Sequence, residues 1–396
     1  MKKLKYAMLV GDGMADFPIE ELGGKTPLEY ASTPNMDRVV SSGKIGLVST
    51  VPDGFSPGSD VANMSLMGYD PAKYYSGRAP VEAASMGIAL EKGDIAFRCN
   101  FVTIDNGIMK DYSAGHIETA DAAKLIAMLS EALDSEKIAF YPGVSYRHLL
   151  VIKGAGGSLN CTPPHDITGR EIKEYLPNGC HSDFVLSIMD DAREVLSKAS
   201  AYQNSMREKQ KDFATDIWLW GQGPAAALPS LYEKFGITGS VISAVDLIRG
   251  LGKLAGLTVR IVPGATGYLG TNYAGKVAAA ISAFENGEDF AFVHIEAPDE
   301  TSHEGSLEKK IQAIEEFDKN VVGPMLHYQQ QRDDLRIIVL PDHATPVSLR
   351  THDAAAVPFG MNGPGVAVDN VCVYSEKAAR GSVVLDGSSL FEDFIS

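Results

Sequence analysis

Three apolar runs, each ending at an acidic residue, constrain this chain more than any other feature. They are Tyr6-Ala-Met-Leu-Val-Gly-Asp12, Phe290-Ala-Phe-Val-His-Ile-Glu-Ala-Pro-Asp299 and Ile337-Ile-Val-Leu-Pro-Asp342. Short, nearly unbroken apolar runs read as strands buried on both faces, the pattern of a parallel sheet. In an open α/β sheet the carboxyl ends of the strands border the ligand crevice. The runs therefore deliver Asp12, Asp299 with His303, and Asp342 with His343 to one edge, and His352 follows in Arg350-Thr-His-Asp. Six such oxygen and imidazole donors suffice for two divalent metals.

Spacing supports this more than number does. Asp299 and His303 are four apart, so a helix starting just after the strand stacks them on one face, where they can grip one ion. Asp342 and His343 are adjacent and diverge, which suits a pair that touches one metal while shaping the loop around a second. One such aspartate alone is usually a helix cap and one histidine a surface residue, but independent caps have no reason to bring three histidines. A nucleophile follows from Pro57-Gly-Ser59-Asp-Val-Ala-Asn63, which comes after the apolar run Ile45–Val51 and leads into helical spacing at Val61, Met64 and Met67. Ser59 then sits at a strand-to-helix junction, where backbone N–H groups and the helix dipole favour a phosphoryl group. A neighbouring divalent cation makes its alkoxide accessible.

Together, Val-Gly-Asp12-Gly-Met, Gly-Ser59-Asp-Val-Ala-Asn, Pro-Asp299-Glu-Thr-Ser-His303-Glu-Gly, Leu-Pro-Asp342-His343 and His352 before Val-Pro-Phe resemble the cofactor-independent phosphoglycerate mutases. More narrowly, the chain is similar to their shorter, archaeal-type branch within the alkaline phosphatase superfamily, from Lys5 to about Phe394. The resemblance implies that Asp12, Ser59, Asp342 and His343 surround one metal and Asp299, His303 and His352 the other, with Ser59 becoming phosphorylated. It implies interconversion of 3-phosphoglycerate and 2-phosphoglycerate without added bisphosphoglycerate. Donors that are oxygen and imidazole, with no thiolate, favour Mn²⁺ or a similar ion over a structural zinc site, so Mn²⁺ is the first expectation, with Mg²⁺, Zn²⁺ and Co²⁺ left open. The same ligands would serve a phosphotransferase with another hydroxyl acceptor, such as a homoserine kinase, or a plain phosphatase.

With 51 acidic and 35 basic residues and a formal charge of −16, the surface should repel nucleic acid and anionic lipid. Anionic substrates must then meet a local basic pocket. Cys99, Cys161, Cys180 and Cys372 show no Cys-x-x-Cys spacing and suggest a reduced cytoplasmic protein. No run approaches a membrane span, and the oligomeric state is not legible.

The ligand-bearing strands fall in residues 1–88 and 214–396. The fold expected is an α/β core, a mostly parallel, alkaline-phosphatase-like sheet with helices on both faces, interrupted by an inserted α+β domain at 89–213 with the site in the cleft. In the resembling family such an insertion closes over the metals and binds substrate. A phosphorylated carboxylate needs cationic clamps. Candidates are His116, Arg147, His165, Asp166 and Arg170 in the insertion, and Arg249, Lys253 and Lys276 in the core. The run Asp216-Ile-Trp-Leu-Trp-Gly-Gln-Gly reads as the strand where the core resumes, and Asp183–Lys211 as one long amphipathic stretch.

Overall fold

The computed structural model describes residues 3–209 and 211–396. It divides into two compact units, Met1–Tyr75 with Leu228–Ser396, and Ser76–Ala227. Along the chain, the strands are β1 (Lys5–Gly11), β2 (Gly43–Ser49), β3 (Ile95–Asp105), β4 (Ile108–Asp111), β5 (Ile138–Val144), β6 (Arg147–Ile152), β7 (Leu159–Asn160), β8 (Asn178–Gly179) and β9 (Asp216–Pro224). There follow β10 (Gly239–Ile242), β11 (Thr258–Val259), β12 (Phe290–Ile295), β13 (Leu335–Leu340), β14 (Val357–Asn362) and β15 (Val384–Asp386).

In the first unit the sheet order is β11-β10-β12-β1-β13-β14-β2-β15, and only β14 runs against the rest. β1 is central, with Leu9 opposite both Val293 and Val339. Successive side chains of a strand serve opposite faces, and here both faces are apolar. On one, Ala7, Leu9, Val293, Ile295 and Val339 join a buried cluster with Val277, Ala280 and Phe284 of the helix Tyr273–Glu285. On the other, Tyr6 meets Phe394 and Phe290 meets Phe391 edge-on, ring centroids 5.5 Å apart in each pair, from the helix Gly387–Ile395. Helices therefore cover both faces, as strands without polar alternation require. No helix among the described residues is long and apolar enough to cross a membrane.

The second unit is built on an antiparallel sheet in which β3 pairs with β4, β6 and β9, and β6 with β5. The helices Thr119–Leu133 and Ser182–Ser197 lay Leu125, Ile126 and Leu129, and Val185, Ile188 and Met189, against Phe97, Phe101 and Trp218 on one face. The helix Arg78–Ser85 packs Ala79 and Ala83 on the other, against Ala96, Leu149 and Val151.

Three expectations need correction. The second unit is wider at both ends than 89–213, because the helix Arg78–Ser85 packs on its sheet. β9 belongs to this unit, with Leu219 opposite Cys99 and Trp218 opposite Asn100, so the first unit resumes only after Ala227. Asp183–Lys211 is not one stretch either: a helix ends at Ser197 and another spans Ser200–Glu208.

Candidate metal and nucleophile site

The strand ends of the first unit bring the sequence-selected side chains together. Asp12 follows β1 directly, Asp342 and His343 follow β13, and Asp299 and His303 lie on one face of the helix Ala297–His303, which starts after β12. Asp12, Asp342 and His343 present three ligand atoms within 4.8 Å of one another, and Asp299, His343 and His352 do the same, so His343 faces both groups. His303 completes the second: its Nε2 is 3.2 Å from Asp299 Oδ2 and 3.1 Å from His352 Nε2. Two imidazole nitrogens face to face beside a carboxylate form a candidate donor set for a cation. Among the described residues Asp12 Oδ1 is buried without a hydrogen-bond partner, a further lone pair available to such an ion. With only oxygen and imidazole donors, these residues fit hard or borderline divalent ions.

Glycine makes room for the cluster. Gly13 has φ +59°, and a Cβ there would come within 2.5 Å of both Asp299 Oδ1 and Thr345 Oγ1. Its N–H instead donates to Asp342 Oδ1 at 3.0 Å. Asn63 Nδ2 donates to Asp342 Oδ2 at 2.7 Å and to the Ser59 carbonyl at 2.8 Å, which ties the start of the Ser59 helix to the loop that carries Asp342. Thr345 Oγ1 donates to Asp299 Oδ1 at 2.5 Å. Behind these loops Lys310, fully buried, bonds Ala15 O, Asp16 Oδ2 and Thr345 O at 3.1, 2.8 and 2.9 Å.

Ser59 is the first residue of the helix Ser59–Leu66, and Gly58 takes the cap position. Its Oγ lies 3.1 Å from His343 Nε2, aimed at the ligand cluster.

The charges explain why cations belong here. Burial raises the Asp12 carboxyl well above its ordinary range, and the carboxylates of Asp342 and Asp299 raise it further. Burial acts the same way on Asp299, yet His303 and His352 outweigh it and hold that carboxyl well below its ordinary range. At Asp342, burial is likewise outweighed by His343 and His294. His303 is lifted to about 9 by its bond to Asp299, against the opposing effect of burial, whereas burial lowers His343. Carboxylates crowded this closely out of water call for positive charge.

The substrate candidates divide. In the second unit His165 sits edge-on to Trp220 and Tyr112, with ring centroids 5.3 and 6.2 Å away. Tyr146 takes His116 at 6.4 Å and the Arg147 guanidinium at 5.5 Å. Asp166 Oδ1 is 3.6 Å from His165 Nε2, and Arg170 donates to Tyr175 OH at 3.2 Å. Arg98, which the sequence reading missed, is buried on β3 with its guanidinium 4.2 Å over Trp220 and its Nε 3.1 Å from Glu82 Oε2. Burial lowers Arg98 to about 10, with Arg78 and Arg147 adding repulsion, and burial with Arg98 and Arg78 also lowers His165. These cations share one neighbourhood.

In the first unit the candidates are scattered. Arg249 is occupied by Ser243 O at 2.8 Å and Asp246 Oδ1 at 3.2 Å, and Lys253 is exposed on the same helix, Asp246–Leu254. Lys276 cannot clamp substrate, because it is fully buried and bonded to Glu296 Oε2 at 2.7 Å and to the His294 carbonyl at 3.0 Å. His294 and Glu296 were also missed, although a histidine inside a strand buried on both faces is itself a signal, since such a group needs a partner.

The family model described as 2,3-bisphosphoglycerate-independent phosphoglycerate mutase matches residues 41–201. A curated relative of that name from Methanosarcina acetivorans is 52% identical over 380 residues, 95% of each chain. The solved structure of a Pyrococcus horikoshii protein superposes with a TM-score of 0.83 at 27% identity, covering 100% of this chain and 98% of that one. The cofactor-independent phosphoglycerate mutase of Thermoplasma acidophilum superposes with a TM-score of 0.68 at 26% identity, covering 99% of both. The Methanosarcina relative and the Thermoplasma structure carry the mutase name, so the homoserine acceptor has no support. At this identity and coverage, the chain belongs to the 2,3-bisphosphoglycerate-independent phosphoglycerate mutases, a family of isomerases.

Proposed function

We propose that the chain interconverts 3-phosphoglycerate and 2-phosphoglycerate through a phosphoserine at Ser59. The observation that carries this reading is Ser59 Oγ standing 3.1 Å from His343 Nε2, at the edge of two adjoining ligand groups. Asp12, Asp342 and His343, with Ser59, would hold one divalent ion, and Asp299, His303 and His352 the other, with Mn²⁺ favoured by the donor set. When bound, the ions supply positive charge that lowers the proton affinity of the Ser59 hydroxyl and neutralises the phosphoryl oxygens.

Ser59 Oγ forms a bond to phosphorus as the bond from phosphorus to the substrate oxygen breaks. The freed glycerate hydroxyl carries the proton that Ser59 gave up. The other glycerate hydroxyl then attacks the phosphoserine, transfers its proton back and restores Ser59. Asn63 fixes the start of the Ser59 helix to Asp342 and so keeps the nucleophile in line. In the second unit, Arg147 and His165, backed by the buried Arg98, bind the anionic groups of the substrate.

The test is an enolase-coupled assay with 3-phosphoglycerate and no added bisphosphoglycerate, run on metal-stripped protein and after Mn²⁺ is restored. Turnover should appear only with the metal. Equal turnover in stripped protein would refute the reading.

A further inference from the structure

β12 is apolar along its length except at His294. The imidazole is fully buried, and neither ring nitrogen makes a hydrogen bond of ordinary geometry among the described residues. Its surroundings are nonetheless specific. Nε2 stands 3.3 Å from Asp12 Oδ2 and 3.9 Å from Asp342 Oδ2, and Nδ1 faces Glu296 Oε1 at 3.5 Å. Glu296 is itself immobilised: Oε1 accepts from Ser243 Oγ and Ala244 N, each at 2.8 Å, and Oε2 accepts from Lys276 Nζ at 2.7 Å. The Phe292 ring lies nearly parallel to the imidazole, 12° between planes and 6.3 Å between centroids. The ring is therefore boxed in by fixed neighbours.

Asp12 shows the consequence. Its Oδ2 faces His294, while Oδ1 is 3.4 Å from His343 Nε2 and is the oxygen left without a hydrogen-bond partner among the described residues. A carboxylate can rotate about its last bond, so a fixed group against one oxygen decides where the other points. We infer that His294 is a positioning residue: anchored by Glu296 and Lys276, it holds Asp12 Oδ2 and thereby aims Oδ1 into the group formed with Asp342 and His343. The inference rests on the reading of Asp12 as a metal ligand. It adds a chain running from Lys276 through Glu296 and His294 to Asp12, whose purpose is to raise metal affinity at one of the two ligand groups.

Calorimetric titration of Mn²⁺ into metal-stripped, full-length protein tests it. Asp12→Asn and His303→Ala serve as references that mark which binding step belongs to which group. His294→Phe should weaken the Asp12 step by about 10-fold to 100-fold while the His303 step stays within about threefold. His294→Gln keeps an N–H near Nε2 and should recover part of that loss. Glu296→Gln leaves the ring but loosens its anchor, and should weaken the same step by a smaller factor; it carries the test if the Phe variant does not fold. An unchanged Asp12 step in these variants, or equal weakening of both steps, would overturn the inference, because a ring that merely fills the core has no preference between the two groups. Retention of both steps in Asp12→Asn would instead refute the metal reading, and the inference with it.

Discussion

The two units hold their candidate site residues in opposite ways. In the first, Asp12, Asp299, Asp342, His343, Lys276 and Lys310 are buried and each has fixed partners. In the second, His116, Arg147, His165 and Asp166 are exposed, and His116, Arg147 and His165 rest on aromatic rings. A charge taken out of water needs close partners, and these fix most of its geometry before any ligand arrives. A ring-supported cation at the surface keeps its hydration and its freedom to meet a larger anion. Preset geometry suits small hard ions and an in-line nucleophile, and adaptable cations suit a flexible phosphorylated acid.

The sharpest way to break this contrast is Ser59→Ala. Turnover should fall by at least about 10⁴-fold, whereas stability should change by no more than about 1 kcal/mol, because the half-buried hydroxyl caps no helix. Steady-state rates and thermal unfolding check the two halves. Next in size is Lys276→Met, which strands the buried Glu296 carboxylate and should cost about 3–5 kcal/mol by denaturant unfolding. Lys253→Ala, exposed on its helix, should stay within about 0.5 kcal/mol.

A third effect depends on pH. Glu376 accepts from Thr26 Oγ1 at 2.7 Å and from Asp16 N at 3.2 Å, and burial raises its carboxyl to about 7. Its folded value lies above the unfolded one, so the folded state holds more protons between them and stability falls as pH rises from about 4.5 towards 7. Glu376→Gln removes that slope. Melting curves of the two proteins should move in the variant's favour across this window, by up to a few kcal/mol, and parallel curves would show that the carboxyl titrates normally. A smaller effect is expected in the second unit. Arg147→Ala should raise KM for phosphoglycerate by roughly tenfold, the worth of one charge-assisted hydrogen bond, and leave Mn²⁺ binding and slow hydrolysis of p-nitrophenyl phosphate unchanged. An altered Mn²⁺ isotherm would mean that the division between the units is wrong.

What could be read from the sequence follows the same division. β1, β12 and β13 are legible because strands buried on both faces need long apolar runs, and Asp12, Asp299, His303, Asp342 and His343 stand at or just beyond their ends. Two things were not legible. β9 has the composition of any buried strand, and only its pairing with β3 assigns Trp218 and Trp220 to the second unit. A residue's partners across the fold leave no local trace either. From sequence Lys276 reads as a substrate cation, whereas in the fold Glu296, twenty residues on, neutralises it, and Arg98 and His294 lie inside strand runs.

The most direct measurement is mass spectrometry of the Mn²⁺-loaded protein, quenched with acid within one turnover of mixing with 3-phosphoglycerate. Phosphate should be found on the peptide containing Ser59, and Ser59→Ala should carry none. Phosphate at another residue, or turnover in Ser59→Ala with no phosphorylated peptide, would contradict the account.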